Sequence, residues 1–378
     1  MDPLAGCAIR THFADLPDPR VARTRRHGLL DIVAIALCAV ICGADSWVEV
    51  ERFGRAKEGW FRSFLALPNG IPSHDTFGRV FAALAPAAFE AAFLGWVRAI
   101  AAASKGEVVA VDGKTLRRSH DRANSRGPLH VVSAWATANG VVLGQVAVDD
   151  RSNEIAALPA LLAALALEGR VVTIDAMGCQ RAIARQIRRQ GGDYVLALKD
   201  NQPILRDLVA HHFAVTAAAG SGGPPGGYHR TVGKDHGRIE VRRCWATDDP
   251  EVLAWLDPER AWSGLRSIAA VAGERRTDGA TTTEIRYYLS SLPADARVIA
   301  AAVRGHWGIE NRLHWVLDVA FREDESRARA GHAAENLAVL RRLALNLLRR
   351  ERTAKVGIKA QRLMAGWNDA YLLKILNA

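Results

Sequence analysis

Apolar residues recur at the spacing of a helix through most of the first hundred positions of the chain. Because side chains three and four positions apart lie on one face of a helix, this spacing is typical of helices packed into a core. It occurs in three stretches, residues 29–42, 47–67 and 89–100. The pattern predicts a helical N-terminal region over residues 1–105.

A short polar segment between the second and third of these stretches is a candidate DNA-reading unit. Ser73 follows Pro72 and can cap a helix that presents His74 and Arg79 near its start. The unit is similar to the second helix of a helix-turn-helix domain, which would make His74 and Arg79 DNA contacts. An ordinary short amphipathic helix explains the same residues and stays open as the alternative.

From residue 107 onward the apolar residues are grouped into short runs, as in β-strands. The first three runs, separated by turn-like segments, predict an antiparallel meander over residues 107–113, 129–137 and 141–149. A helix, a strand, a basic helix and a strand are then predicted over residues 156–167, 170–176, 180–189 and 193–199. This order is that of an RNase H-like domain, an α/β fold whose mixed sheet buries its central strands on both faces.

A stretch rich in Gly, Ala and Pro at residues 216–227 marks the start of an insertion into this domain. Three further strands are predicted after it, over residues 237–248, 265–276 and 281–292. They define a β-rich insertion at about residues 213–294, within a catalytic domain that extends over residues 106–378. Helical patterning resumes at Asp295 and supplies the C-terminal helices of that domain.

The charge of the chain narrows the range of partners. It carries 50 Lys and Arg against 40 Asp and Glu, a formal net charge of +10, with a pI near 9.7. Such an excess attracts nucleic acid, because neutralising phosphates releases condensed counterions, although a mildly basic soluble protein is a common alternative. The five cysteines lack the paired spacing of a disulfide framework or zinc site, which fits a reducing cytoplasm. The apolar run at residues 29–42 is too short to span a bilayer, so no membrane role is expected.

Two aspartates end buried strands of the predicted sheet. Asp112 ends the first strand and Asp175 ends the fourth. A carboxylate at such a position is poorly solvated and needs compensation by hydrogen bonds, by basic residues or by a metal ion. The first and fourth strands are neighbours in an RNase H-like sheet, so the two aspartates are expected to share a cation. For either aspartate alone, formation of a turn is the competing explanation.

A third acidic ligand is expected from a helix packed against these strand ends. Glu310 is the candidate, because it is one of few acids among apolar residues at helical spacing. The same segment holds other acids that the pattern does not exclude, Asp318, Glu323, Asp324 and Glu325. Asn311, His306 and His314 are interpreted as hydrogen-bonded structural residues.

Three carboxylates favour hard, oxygen-seeking ions, so Mg²⁺ or Mn²⁺ is expected rather than zinc. Two such ions roughly 4 Å apart could activate water or a 3′-hydroxyl on one side and stabilise the leaving oxygen on the other. Lys114, Arg117 and Arg118 follow the first aspartate and are predicted to hold phosphates, with solvated surface charge as the alternative.

These motifs together resemble the DDE transposases of bacterial insertion sequences, in particular the group that includes the H-repeat associated proteins. The resemblance covers nearly the whole chain and is carried by LLDIVAIALCAVICGADSW, VDGKTLRRS, VTIDAMGCQ, DYVLALKDNQP and RGHWGIENRLHWVLDVAFREDESR. It implies an RNase H-like catalytic core with a β-strand insertion and an N-terminal helical domain. It also implies that Asp112, Asp175 and Glu310 are the catalytic and metal-binding residues.

The resemblance further implies an activity and its partners. The activity would be metal-dependent cleavage and strand transfer at the terminal inverted repeats of an insertion sequence, with two Mg²⁺ or Mn²⁺ ions. The partners would be double-stranded DNA and a second copy of the chain, in a homodimer or higher oligomer. Lys199, Arg304 and Arg312 are added as predicted DNA contacts. One departure weakens the transfer of DNA contacts, since Val303, His306 and Leu317 stand where related transposases place Tyr, Arg and Lys.

Two other functions remain open at the level of the sequence. The chain could be a catalytically inactive, transposase-derived DNA-binding protein, because an intact set of acids does not prove turnover. A host nuclease acting on RNA–DNA hybrids would share the core fold but would leave the large flanking regions unexplained.

Overall fold

A large mixed sheet occupies the centre of the molecule. The computed structural model of the chain describes residues 8–100, 106–121, 126–148, 154–218, 227–235, 237–277 and 279–378. Among these residues the strands are β1 (Val108–Thr115), β2 (His130–Ala136), β3 (Val141–Val148), β4 (Val171–Ile174), β5 (Asp193–Leu198), β6 (Tyr228–Asp235), β7 (Arg238–Thr247), β8 (Ser267–Thr277) and β9 (Ala280–Ser290). They form one sheet in the order β3-β2-β1-β4-β5-β9-β8-β7-β6.

The first five strands have the topology that the sequence predicted. β1 pairs antiparallel with β2, and β2 pairs antiparallel with β3. β4 lies parallel to β1, and β5 lies parallel to β4. Residues 108–111 of β1 are apolar and all four residues of β4 are buried, as expected for central strands of a mixed sheet. The α/β, RNase H-like fold class is therefore confirmed.

The insertion extends this sheet. β9 pairs antiparallel with β5, and β8, β7 and β6 follow outward as an antiparallel meander. The prediction of three strands was incomplete, because β6 and a short helix at Pro250–Leu256 also belong to the insertion. β6 is the edge strand and its sequence YHRTVGKD is largely polar, so it carries little of the apolar pattern that identifies a buried strand.

Helices surround the sheet and account for most of the remaining described residues. They are α1 (Ala8–Phe13), α2 (Leu29–Ile41), α3 (Trp47–Ala56), α4 (Glu58–Phe61), α5 (His74–Ala83), α6 (Pro86–Ile100), α7 (Glu154–Ala164), α8 (Arg181–Arg189), α9 (Pro203–Ala218), α10 (Pro250–Leu256), α11 (Ala296–His306), α12 (Trp315–Phe321), α13 (Ala333–Arg350), α14 (Ile358–Trp367) and α15 (Asp369–Leu376). α5 begins as predicted, with the Ser73 hydroxyl accepting a hydrogen bond from the backbone N–H of Thr76.

The N-terminal helices share one hydrophobic core with the sheet. α13 contacts α2, α5 and α6 on one side and β3 on another. Burial explains the apolar run in α2, because every residue from Ile32 to Ile41 is buried. The predicted boundary near residue 105 and residues 219–226 of the Gly-, Ala- and Pro-rich stretch lie outside the described residues. The division into a domain of residues 1–105 and a domain of residues 106–378 stays a prediction.

Within the described part of the chain, a single helix with the length and apolar character needed to cross a bilayer is not found. α5 and α6 reach that length and composition only as a pair, and they are bent by 91° relative to each other.

Candidate active site

The two predicted aspartates lie at the same edge of the sheet. Val111 of β1 and Ile174 of β4 are register partners, and Asp112 and Asp175 directly follow them. Neighbouring strands are about 4.8 Å apart, so the residues that follow this last register pair lie close together. The prediction that Asp112 ends the first strand was wrong, because β1 continues through Asp112 to Thr115 by pairing with β2, whereas Asp175 does follow the end of β4. Asp175 also caps the turn that follows β4, because its Oδ1 accepts a hydrogen bond of 3.2 Å from the backbone N–H of Met177.

Burial and neighbouring negative charge destabilise the ionised forms of both carboxylates. The pKa of Asp112 is raised to about 7, first by burial and then by the negative charges of Asp175, Glu154 and Glu310, although the Gly113 backbone N–H acts in the opposite direction. The pKa of Asp175 is also raised, by burial first and by the charge of Glu154 second. Acids that repel one another in a poorly solvated place require a cation when all are ionised.

Glu310 reaches this edge from an irregular helix. Residues Ile309–His314 form a π-helical segment between α11 and α12. Ile309 and Leu313 are buried and anchor the segment, whereas Glu310 itself is exposed. π-Helical turns interrupt α-helices rarely and often at functional sites, because they redirect side chains relative to the helix. The charge of Glu310 acts on Asp112, so Glu310 lies within electrostatic reach of that aspartate.

The alternative acids of this segment are all ion-paired with basic side chains. Asp318 and Asp324 pair with Lys114, Glu323 pairs with Arg342, and Glu325 pairs with Arg322. The Glu323–Arg342 pair is fully buried, with 3.0 Å between its nitrogen and oxygen atoms. Since a carboxylate already neutralised by a basic residue has less need of a metal ion, these pairs favour Glu310 as the third ligand.

Two histidines flank the acids as neutral groups. His314 Nδ1 lies 3.5 Å from Asp112 Oδ2, and the pKa of His314 is lowered to about 3 by burial and by nearby positive charge, from Arg342 first. His306 Nδ1 lies 3.2 Å from the Thr173 hydroxyl of β4, and burial lowers the pKa of His306 to about 4. Both rings therefore act as uncharged packing or hydrogen-bonding groups at neutral pH, and His306 has the hydrogen bond that was predicted.

Sequence reasoning missed a fourth acid, Glu154, and the histidine beside it. Glu154 begins α7, and its Oε1 lies 2.5 Å from His130 Nε2. His130 Nδ1 lies 2.8 Å from the Thr115 hydroxyl of β1. Gly113 makes room for the pair, because a Cβ at that position would overlap both Glu154 and His130. The available signal was an acid at the start of the helix after β3, which the sequence pattern alone does not distinguish from a helix-capping charge.

The basic residues after β1 have different surroundings. Lys114 is buried, and its Nζ lies 2.8 Å from Asp318 Oδ1 and 2.8 Å from Asp324 Oδ1. Lys114 thus joins β1 to the segment around α12, and its predicted phosphate contact stays a prediction. Arg117 contacts Asp324 over 3.2 Å but keeps 81% of its side chain exposed, so its guanidinium is accessible to a phosphate. Arg118 is also exposed.

The other predicted DNA contacts fall into two groups. Lys199 lines a cavity of about 60 Å³ beside Asp175, and Arg304 and Arg312 flank Glu310 along the chain. His74 and Arg79 lie on α5, where the His74 ring contacts Glu51 over 2.8 Å and Arg79 donates to the carbonyl of Asp75. The α5 residues do not line the cavities that reach the acids.

A groove of about 790 Å³ lies between the insertion strands and α11 and reaches Glu310 and Asn311. We call it the arginine groove, because seven arginines line it, Arg238, Arg242, Arg243, Arg275, Arg286, Arg297 and Arg304. Three glutamates line the same groove, so positive charge predominates. Glu310 therefore lies at the margin of a basic surface. We call the part of the sheet that carries Asp112 and Asp175 the acid-bearing edge.

The acids have the donor chemistry of a Mg²⁺ or Mn²⁺ site, since each offers carboxylate oxygens. Their burial and mutual repulsion, which raise the pKa of Asp112, are what a bound cation would relieve. Within the described ranges, no three His, Cys, Asp or Glu side chains already lie close enough to hold one ion together. Asp112, Asp175 and Glu310 are therefore candidate ligands by their charge and position, without being gathered at coordination distance.

Comparisons with known protein families give the class of the protein. The model described as "Transposase DDE domain" matches residues 103–347, and the model described as "DDE_Tnp_1-associated" matches residues 10–97. The chain belongs to the DDE transposase family.

Individual relatives are similar over almost the full length. The "H repeat-associated putative transposase YhhI" of Escherichia coli (strain K12) is 37% identical over 374 residues, which is 97% of each chain. The "Putative transposase YncI" of Escherichia coli O157:H7 is 40% identical over 98% of this chain and 94% of that protein. Among solved structures, the piggyBac transposase synaptic complex with hairpin DNA aligns with a TM-score of 0.42 at 11% identity, over 100% of this chain and 80% of that one.

Proposed function

We propose that this chain is an active transposase that cleaves DNA at the terminal inverted repeats of an insertion sequence and transfers the strands, using two Mg²⁺ or Mn²⁺ ions. The observation that carries the proposal is the placement of Asp112 and Asp175 directly after the last register pair of adjacent parallel strands, with Glu310 within electrostatic reach of Asp112. Membership in the DDE transposase family supports it.

The chain's own residues have separable tasks in this reaction. Asp112, Asp175 and Glu310 would hold the cations, and the neutral His314 ring packs beside Asp112 without adding a competing positive charge. Lys114 holds the α12 segment against β1, which keeps the π-helical segment near the strand ends. When bound, the ions would activate the attacking hydroxyl and stabilise the leaving oxygen.

Double-stranded DNA is the proposed partner. The net charge of +10 supplies positive potential for the phosphates of the duplex, and the arginine groove beside Glu310 supplies it for the part of a DNA end that reaches the acids. Lys199, Arg304, Arg312 and Arg117 are proposed phosphate contacts near the acids, while His74 and Arg79 are proposed contacts of the N-terminal helices. A homodimer or higher oligomer that pairs two DNA ends in the bacterial cytoplasm is part of the same proposal.

Cleavage of DNA that contains the ends of the element tests the proposal. The purified chain, incubated with Mg²⁺ and the DNA that flanks its own coding sequence, should cut at defined positions. Asp112→Asn, Asp175→Asn and Glu310→Gln should each lower the rate by about 10³-fold or more, because each removes a proposed metal ligand. Asp207→Asn, at an exposed position of α9, is the matched control and should cut normally. Full cleavage by the Asp112 or Asp175 variant would refute the mechanism.

One observation favours a second function, that of a DNA-binding protein without turnover. In the described part of the chain the acids are not already gathered at coordination distances. Binding to the same DNA without cleavage in either Mg²⁺ or Mn²⁺ would support this second function and exclude the first.

A further inference from the structure

The floor of the arginine groove is one face of the insertion strands. Arg242 of β7 is the register partner of Gly273 of β8, and Arg275 is the partner of Glu240. Because alternate residues of a strand point to the same side, Arg242 and Glu240 share a face with Gly273 and Arg275. α11 forms the opposite wall and contributes Arg297 and Arg304. The groove is therefore built by regular elements rather than by loops.

The floor is open because small residues stand between the arginines. A Cβ placed on Gly233 or Gly273 would meet no atom within 4 Å. On the facing wall, Ala300 and Ala301 of α11 have small side chains that fill little of the groove. The chain thus leaves a space between charged side chains that its own packing does not fill.

Part of the positive charge in the groove has no partner. Glu240 pairs with Arg238 and Arg242, and Glu284 pairs with Arg286. Among the described residues, Arg275, Arg297 and Arg304 have no carboxylate at ion-pair distance. The pKa of Arg304 is lowered by burial first and by the charge of Arg242 second, which is the effect of crowding cations together. A polyanion would relieve this repulsion.

The size and lining of the groove suit one strand rather than a duplex. Its volume of about 790 Å³ is in the range of pockets that enclose small ligands. Proteins that hold single strands combine a basic groove with aromatic side chains for the bases. Trp307 lines the groove next to Glu310 and is stacked under the Arg286 guanidinium at 4.3 Å.

We propose that the arginine groove binds an unpaired DNA strand, with its phosphates on Arg275, Arg297 and Arg304, and directs that strand to Glu310. The identity of the strand as DNA rests on the proposed function. Duplex DNA is then held elsewhere on the protein, and only the unpaired part of a DNA end enters the groove.

Binding measured without divalent ions tests this inference independently of cleavage. The full-length chain is titrated in EDTA into labelled duplexes of one sequence, either blunt or with a single-stranded tail, and fluorescence anisotropy is recorded. The wild-type protein should bind the tailed DNA about tenfold more tightly, because phosphate contacts and base stacking are added. Equal affinity for the two DNAs would overturn the inference.

Charge-reversal variants test whether the groove is the site of the preference for tailed DNA. Arg275→Glu and Arg297→Glu should each reduce the preference for tailed DNA to about twofold or less. Arg276→Glu is the matched control, because Arg276 is adjacent on β8 but points to the other face, where it pairs with Glu274. It should keep the full preference. If Arg276→Glu lost as much as Arg275→Glu, the effect would reflect net charge alone and the groove would not be the site.

A substitution that changes side-chain volume but not charge tests the groove independently of its electrostatics. Gly273→Phe fills the open floor without changing any charged group, and a strand position with free space accepts an aromatic side chain. It should abolish the preference for tailed DNA while affinity for blunt duplex and the thermal unfolding temperature stay unchanged, which also shows that the variant folds. Retention of the preference would overturn the inference.

The result is separable from that of the proposed function. Asp112→Asn should lose cleavage and keep the preference for tailed DNA. Wild-type cleavage with equal binding of tailed and blunt DNA would contradict the inference alone, whereas tail binding without cleavage would contradict the proposed turnover alone.

Discussion

The acid-bearing edge of the central strands and the arginine groove of the insertion belong to one sheet, yet they are electrostatic opposites. At the central edge, burial and neighbouring carboxylates raise the pKa of Asp112 to about 7. In the groove, arginines outnumber glutamates and open floor separates them. Glu310 borders both regions, so a phosphodiester attracted by the groove would arrive beside acids that require cations. Under the proposed function, the strands that attract the DNA therefore differ from the strands that carry the acids acting on its phosphodiester bond.

The largest expected effect concerns the stability of the acid-bearing edge without divalent ions. The folded state holds the proton of Asp112 up to about pH 7, whereas the unfolded chain releases it near 3.8. The folded state therefore binds more protons in this window, and stability is lost as the pH rises through it. Asp112→Asn should raise the free energy of unfolding by about 4 kcal/mol at pH 8 and by little at pH 4.

Urea unfolding in EDTA at several pH values measures this difference. Addition of Mg²⁺ at pH 8 should stabilise the wild-type chain more than the variant, because the cation relieves the repulsion. A pH-independent difference between the two proteins would show that the acids do not repel one another as described.

Lys114 lies near the acid-bearing edge, but its charge pairs with Asp318 and Asp324 and serves packing. Lys114→Met should lower the free energy of unfolding by about 3 kcal/mol, since it leaves Asp318 and Asp324 partly buried without their main partner. Arg117→Met is the control, because Arg117 touches the same Asp324 from an exposed position and should cost less than about 1 kcal/mol. Similar losses in chemical denaturation for both variants would contradict the role assigned to Lys114.

Glu154 tests how far the acid-bearing edge extends. If this carboxylate supports the cations through its position beside Gly113, Glu154→Gln should reduce cleavage by about 10- to 100-fold and weaken Mn²⁺ binding measured by calorimetry. Glu259→Gln, a change at an exposed position of the insertion, should affect neither. Unchanged Mn²⁺ affinity in the Glu154 variant would limit the metal site to the three residues predicted from the sequence.

The smallest expected effect lies in the arginine groove. Arg275→Ala should reduce affinity for tailed DNA only a few fold, but it should lower the slope of log affinity against log salt concentration by about one, because one phosphate contact is lost. Anisotropy titrations at several salt concentrations measure the slope. A slope equal to that of the wild-type protein would mean that Arg275 does not contact a phosphate.

The sequence predicted the central edge better than the groove, for a physical reason. β1 and β4 are buried on both faces, so their apolar runs identify them, and the strand order then brings Asp112 and Asp175 together. β6 is a polar edge strand, so the apolar pattern did not predict it. The groove depends on the register of Arg242 with Gly273 and on the approach of α11, which are properties of the folded chain.

Two features near the acids were also beyond the sequence pattern. The contact of Lys114 with Asp324 joins residues that are 210 positions apart, so local spacing contains no sign of it. Glu154 stands alone at the start of a helix, and its importance depends on the missing side chain of Gly113. Glu310 was predicted from spacing, but the π-helical segment that displays it was not.

A crystal structure of the full-length chain, soaked with Mn²⁺ and recorded at the manganese absorption edge, tests directly whether the three acids hold cations. We expect an anomalous peak between the carboxylates of Asp112 and Asp175 and a second peak that involves Glu310, about 4 Å away. Peaks only at other sites, or none at a Mn²⁺ concentration that supports cleavage, would contradict the claim that these acids hold the catalytic cations.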